Sequence, residues 1–301
     1  MPNRLIKREE YADYLVPLLL KTFTKNPFDT ICTVLRVSGL QDAKWDPFEE
    51  SLDSFKDYNW LLKQAKEGPT QNCLWRVGLL MYCQAIEMTA PHEVLANIFR
   101  SLGGGKYHIK PLMHLNRKSK KDPFASIPPS ATTKLNYLKK LAKNCGEEKF
   151  IELIDSFFND KIRNAFSHSD YVITDSYFRW TEGGYPSQIK LDELDILISN
   201  AQEFYSAFWY CHLECLKNFS TNRKYHKWDN YEVLELLTKD GLLYGFNVHF
   251  SNGNKSTFSR TAEGVEFCNI TIQRDGSIDF FVGLLNALKP IWMVDGKPYL
   301  E

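Results

Sequence analysis

Along the first two thirds of the chain, apolar positions recur three and four residues apart, the spacing that gathers side chains on one face of a helix. Tyr11, Tyr14, Leu15, Leu18 and Leu19 do so over about residues 8–25, although Pro17 would kink this helix or force a later start. A second helix opens at Asp46-Pro47, with an N-cap, a first-position proline and Glu49 and Glu50 in the first turn; Phe55, Trp60, Leu61 and Leu62 supply its apolar side. Gly68-Pro69 ends it, and Leu74, Trp75, Leu79, Tyr82 and Ile86 mark a buried helix over about 71–88. A short helix over about 91–101 stops at Gly103-Gly104-Gly105, a flexible break, and Lys106 to Pro129 reads as a long loop. Helices resume over about 131–144 and about 147–167, the latter with a stripe of Phe150, Ile154, Phe157, Phe158, Ile162 and Ala165. Tyr171 to Thr174 and Tyr177 to Trp180 predict a β-hairpin ended by Gly183-Gly184, and a long apolar helix follows over about 192–218.

From about residue 227 the period shortens to two. Phe246, Val248 and Phe250 alternate, Ser251-Asn-Gly-Asn is a turn, and Val265, Phe267, Ile270 and Ile272 precede an Asp275-Gly276 turn and Ile278 and Phe280. The expected organisation is a helical region over 1–105, a basic flexible loop over 106–130, a helical core over 131–226 and a small β-rich part over 227–301. The fold class is therefore mainly α, with a β-hairpin inside the helical bundle and a small α+β appendage.

With 301 residues, 44% hydrophobic and 14% aromatic, the chain can bury one large core or two modest ones without disulfides or metals. Thirty-seven basic and 37 acidic residues cancel, so any nucleic-acid surface must be local. Seven scattered cysteines, mostly in apolar helical stretches, read as reduced thiols. The opening MPNRLIKREEYADYL has no signal-peptide core, and no apolar run is long enough to span a bilayer, so a cytoplasmic protein without membrane partners is expected.

One stretch carries chemistry: Phe157-Phe-Asn-Asp-Lys-Ile-Arg-Asn-Ala-Phe-Ser-His-Ser-Asp-Tyr171. Histidine, with a reference pKa of about 6.5, can take a proton from a ribose 2′-hydroxyl. Arginine offers a permanently charged planar fork that can hold a phosphate, and asparagine can position either by hydrogen bonding. On an ideal helix Asn164 and His168 lie about 40° apart, as do Asp160 and Asn164, whereas Arg163 and His168 lie about 140° apart. Arg163 must reach around, the helix must loosen, or a second protomer must complete the site. The plain alternative is that Arg163 and Asn164 cap a helix and His168 is a surface residue.

Arg163-Asn164 followed by His168 resembles the R-N-x-x-x-H signature of the HEPN superfamily, and the preceding amphipathic helix, following hairpin and closing long helix agree with it over about residues 131–218. The resemblance implies a HEPN-like helical bundle of the Apea-like type that dimerises through the motif helix, so that two motifs face one another. It implies metal-independent RNA cleavage by Arg163, Asn164 and His168, supported by Asp160, Ser167 and Tyr171, with no cofactor and no metal. A toxin or phage-defence effector acting with an antitoxin or defence partner is the setting such a nuclease suggests. The alternative is a non-catalytic HEPN module that binds RNA, a nucleotide or a partner protein.

Weaker signals accompany the motif. Lys106, Lys110, Arg117, Lys118, Lys120 and Lys121 lie in a stretch without acids and with Tyr107, His108 and His114 interspersed; it is either a mobile RNA-binding arm or a solvated loop. Cys211, His212 and Cys215 have metal-like spacing, but their apolar surroundings and the lack of a second ligand pair favour core packing. The glycines at 103–105 lack the strand and Lys-Ser/Thr of a nucleotide loop and read as a hinge. No Gly-x-Ser-x-Gly elbow, His-Glu-x-x-His or Cys-x-x-Cys pair occurs.

Overall fold

A computed structural model describes residues 4–39, 47–68, 70–118 and 126–219, and strand segments between 224 and 298. The helices are α1 (Arg8–Lys25), α2 (Pro27–Leu35), α3 (Pro47–Ala65), α4 (Gln71–Glu87), α5 (Thr89–Leu102), α6 (Ala131–Asn144), α7 (Glu148–Asp155), α8 (Asp160–Ser167) and α9 (Leu191–Asn218). The strands used below are β1 (Val37–Gly39), β2 (Arg117–Lys118), β3 (Ser126–Ile127), β4 (Tyr171–Ile173), β5 (Tyr177–Glu182), β6 (Tyr185–Lys190), β7 (Lys224–Trp228), β8 (Tyr231–Lys239), β9 (Leu242–His249), β10 (Lys255–Thr261) and β11 (Gly264–Phe267). The chain is mainly helical with small, largely antiparallel sheets, as the hydrophobic periods predict. The Phe250 strand position and the turns at 251–254 and 275–276 lie outside the described residues.

Two compact units form, each from separated chain segments rather than from consecutive ones. The first comprises Met1–Leu15, Phe48–His92 and Leu115–Trp209. Its centre is aromatic: the buried Phe204 ring of α9 lies 5.4 Å from Tyr11, edge-on, and 4.9 Å from Phe157. Each such ring contributes about 1.5–3 kcal/mol by leaving water.

The single helix expected over 147–167 is two helices, because α7 ends at Asp155 and α8 begins at Asp160. Asn159 makes the break: its Oδ1 accepts from Lys161 N at 3.1 Å and Ile162 N at 3.3 Å, an N-cap that starts a new helix. The backbone between the helices finds partners on other elements. Tyr82 Oη of α4 donates to Phe157 O at 2.9 Å and accepts from Asn159 N at 3.0 Å, and Asn200 Nδ2 of α9 donates to Ser156 O at 3.2 Å. Phe157, counted in the helical stripe by its spacing, instead fills the core from this turn.

After α8 the expected hairpin β4–β5 gains a third antiparallel strand, β6, at the sheet edge. Tyr185-Pro-Ser-Gln-Ile-Lys buries only Ile189, and an edge position tolerates Pro186, so its sequence carries little strand signal.

The second unit comprises Val16–Pro47, Glu93–His114 and Tyr210–Glu301. Its main sheet has the order β1-β11-β10-β9-β8-β7, antiparallel except where β1 pairs with β11. Leu234, Leu236, Phe246, Val248 and Phe258 project from this sheet into a core with Ile31, Cys32 and Leu35 of α2, Tyr107 and Phe219. On the other sheet face Thr257, Asn247, Glu235 and His249 form a hydrogen-bonded ladder, with Asn247 Nδ2 at 2.9 Å and His249 Nε2 at 2.8 Å from Glu235 Oε2. Helix α2 and strand β1 were not anticipated. Asn26 Oδ1, accepting from Asp29 N at 3.2 Å, with Pro27 next to it, repeats the start signal at Asp46-Pro47.

The glycines at 103–105 and the start of the segment after them make defined hydrogen bonds. Gly103 to Gly105 close α5 in a Schellman turn: Gly104 N donates to Ser101 O at 3.0 Å, Gly105 N to Arg100 O at 2.8 Å, and Gly104 has φ +87°. They are a built helix stop. The start of the loop after them is also tied down, since Tyr107 Oη donates to Val37 O at 2.6 Å and His108 N to Asn97 Oδ1 at 3.0 Å.

Candidate active site

Helix α8 buries Ile162 and Ala165 against its own unit and turns the rest of its short surface outward. Arg163 lies between these faces. Its Nη1 pairs with the Glu87 carboxylate at the end of α4, its Nη2 donates to Asn164 Oδ1 at 2.6 Å, and its Nε is enclosed without a partner among the described residues. The guanidinium is therefore fixed by one carboxylate and one amide. Asn164 thus holds Arg163 rather than the His168 ring.

The helix stops as α5 does, with Ser169 N donating to Phe166 O at 3.1 Å and Asp170 N to Ala165 O at 2.9 Å. In this Schellman turn His168 is the C-cap, its N–H donating to Asn164 O at 3.0 Å, and Ser169 adopts φ +56°. The exposed His168 imidazole has no hydrogen-bond partner among the described residues, so both ring nitrogens are accessible.

Asp160 is the first residue of α8, about 12 Å along the axis from His168. It favours the positive helix N-terminus and is remote from the imidazole. Ser167 is exposed in the last turn, and the Cys83 sulfur of α4 lies 3.9 Å from Arg163 O. Burial pushes the Cys83 thiol up to about 12, opposed by the Arg163 guanidinium, so it stays protonated and is no nucleophile. Tyr171 is a packing residue: its ring lies 5.5 Å from Phe166 of α8 and stacks 5.1 Å from Phe178 of β5, fastening the sheet to the helix.

Glu87 is the member that the sequence reading missed. It stands 76 residues before Arg163 at the end of an apolar helix, and nothing local marks it. Lys134 of α6 lies behind it, with a side chain only 4% exposed.

The basic stretch divides. Lys106 and Lys110 belong to the second unit and the exposed Arg117 and Lys118, on the small antiparallel pair β2–β3, to the first; Lys120 and Lys121 lie outside the described residues. Cys211 and His212 are buried, and His212 Nε2 lies 2.8 Å from Val34 O, which fits packing. Among the described residues no group of three His, Cys, Asp or Glu could hold a metal ion, and no helix is long and apolar enough to cross a membrane. No protein-family profile, curated protein or solved structure matches the chain.

Proposed function

We propose that this chain is a HEPN-type endoribonuclease that cuts RNA without a metal ion, acting as a toxin or phage-defence effector, with His168 and Arg163 as its catalytic residues. The observation that carries the reading is an exposed imidazole, without a hydrogen-bond partner among the described residues, at the end of the helix in which Arg163 and Asn164 form a guanidinium–amide pair. His168 takes the proton from a ribose 2′-hydroxyl, and the 2′-oxygen attacks the adjacent phosphorus. The bond to the 5′-oxygen breaks, that oxygen gains a proton, and the products carry a 2′,3′-cyclic phosphate and a 5′-hydroxyl. Arg163 compensates the charge that builds on the phosphate. The 140° offset between Arg163 and His168 on one helix favours a homodimer in which the arginine of one copy serves the histidine of the other.

A second reading has its own observation. The Glu87 carboxylate already pairs with Arg163, as it would in a HEPN module that binds RNA, a nucleotide or a partner protein without cutting. Incubating one sequence as RNA and as DNA with the wild type, Arg163→Lys and His168→Ala separates the two. The nuclease reading expects cleavage of RNA alone, impaired in Arg163→Lys because a point charge lacks the fork, and slowed about a hundredfold or more in His168→Ala. Intact RNA in every arm, bound with unchanged affinity, would leave the binding module.

A further inference from the structure

Three charged side chains from three helices meet beside the motif. Glu87 ends α4, Lys134 lies in the first turn of α6 and Arg163 is in α8. Lys134 Nζ donates to Glu87 O at 2.9 Å and Thr89 Oγ1 at 3.2 Å, and stands 3.9 Å from Glu87 Oε2. The other oxygen of that carboxylate takes Arg163 Nη1. We propose that Glu87 is a positioning residue for Arg163, and that the buried Lys134 lets it act without cancelling the positive charge of the site.

Both parts follow from elementary electrostatics. An unrestrained arginine carries rotamer entropy that must be lost each time it grips a phosphate. Here Glu87 and Asn164 each occupy one terminal nitrogen and Nε is enclosed, so that loss is already met in the free protein. A lone arginine–glutamate pair would be neutral and a poor site for an anion. With Lys134 behind the carboxylate, these three side chains are two cations and one anion and together carry one net positive charge. The burial of Lys134 places this compensating charge on the core side, while Glu87, 40% exposed, faces the motif.

Support for catalysis rests on the ribonuclease reading; the holding of Arg163 does not, and one experiment separates them. In the full-length 15N-labelled chain the Arg163 Nε–H signal, identified by its loss in Arg163→Lys, should exchange slowly with water. In Glu87→Ala that exchange should quicken tenfold or more, with Glu87→Gln, which retains an acceptor, in between. Single-turnover RNA cleavage should fall about tenfold in Glu87→Ala, yet adding this change to Arg163→Ala should cost nothing further, because a residue acting only through Arg163 has no effect once it is gone. A general structural role would make the losses add. Lys134→Met should weaken binding of uncleavable 2′-O-methyl RNA and make its salt dependence shallower. An Nε–H equally protected in Glu87→Ala, or additive losses, would overturn the positioning role, and unchanged RNA affinity in Lys134→Met would overturn the charge argument. If the wild type cuts no RNA, the ribonuclease reading fails, and the exchange measurement alone decides whether Glu87 holds Arg163.

Discussion

Replacing Tyr82 by Phe removes one oxygen from the core and tests the account of how α8 is placed. Tyr82 is fully buried, and burial raises its hydroxyl well above the usual range, so it stays protonated and donates. That hydroxyl satisfies Phe157 O and Asn159 N, at 2.9 and 3.0 Å, in the turn where the expected long helix breaks. Phenylalanine fills the same space and leaves both backbone groups without this partner. Each such orphaned group costs about 1–3 kcal/mol, so a loss of about 2–6 kcal/mol is expected, the lower end applying where water reaches the turn. Urea unfolding followed by far-UV circular dichroism should show a lower midpoint at an unchanged m-value. A loss below about 0.5 kcal/mol, smaller than one net hydrogen bond, would refute the claim that Tyr82 holds the turn.

Further outcomes follow from other positions. Ser169 occupies the left-handed position that Gly104 and Gly146 fill in the turns after α5 and α6, so Ser169→Gly should stabilise by about 0.5–1 kcal/mol in the same unfolding assay. His92 is held well below the usual histidine range by burial and by Lys134. The unfolded chain therefore protonates it first, and stability complete above about pH 6.5 should fall below it by up to about 1.4 kcal/mol per pH unit; unfolding midpoints at pH 7.5 and 5.5 should differ less in His92→Gln. If the basic stretch contacts RNA, changing Lys118, Lys120 and Lys121 to Gln should reduce the salt slope of binding by about 2, and an unchanged slope would make the stretch a solvated loop.

How much of this could be read from sequence depended on whether the cause was local. Long apolar stripes such as those of α4 and α9 carry their own period, and α3 begins at Pro47 and ends before Gly68. The break between α7 and α8 was hidden because Ile154, Phe157, Phe158 and Ile162 keep helical spacing across it. The partners that stabilise the turn, Tyr82 and Asn200, lie far away along the chain. Helix α2 was legible in principle from Asn26-Pro27 and Asp29. Within the candidate site, the end of the helix near residue 167 was legible from the apolar stripe, whereas the Glu87–Arg163 pair depends on tertiary packing of α4 against α8 and has no signature at either residue.

His168 is the group proposed to move the proton in RNA cleavage that needs no metal. The most direct measurement is the single-turnover rate on RNA in excess EDTA, wild type against His168→Ala, with product ends identified. The account predicts cleavage by the wild type to 2′,3′-cyclic phosphate and 5′-hydroxyl ends, and a loss of about a hundredfold or more in the variant at unchanged thermal stability. Equal rates in the two proteins, or cleavage that appears only when Mg²⁺ is added, would contradict it.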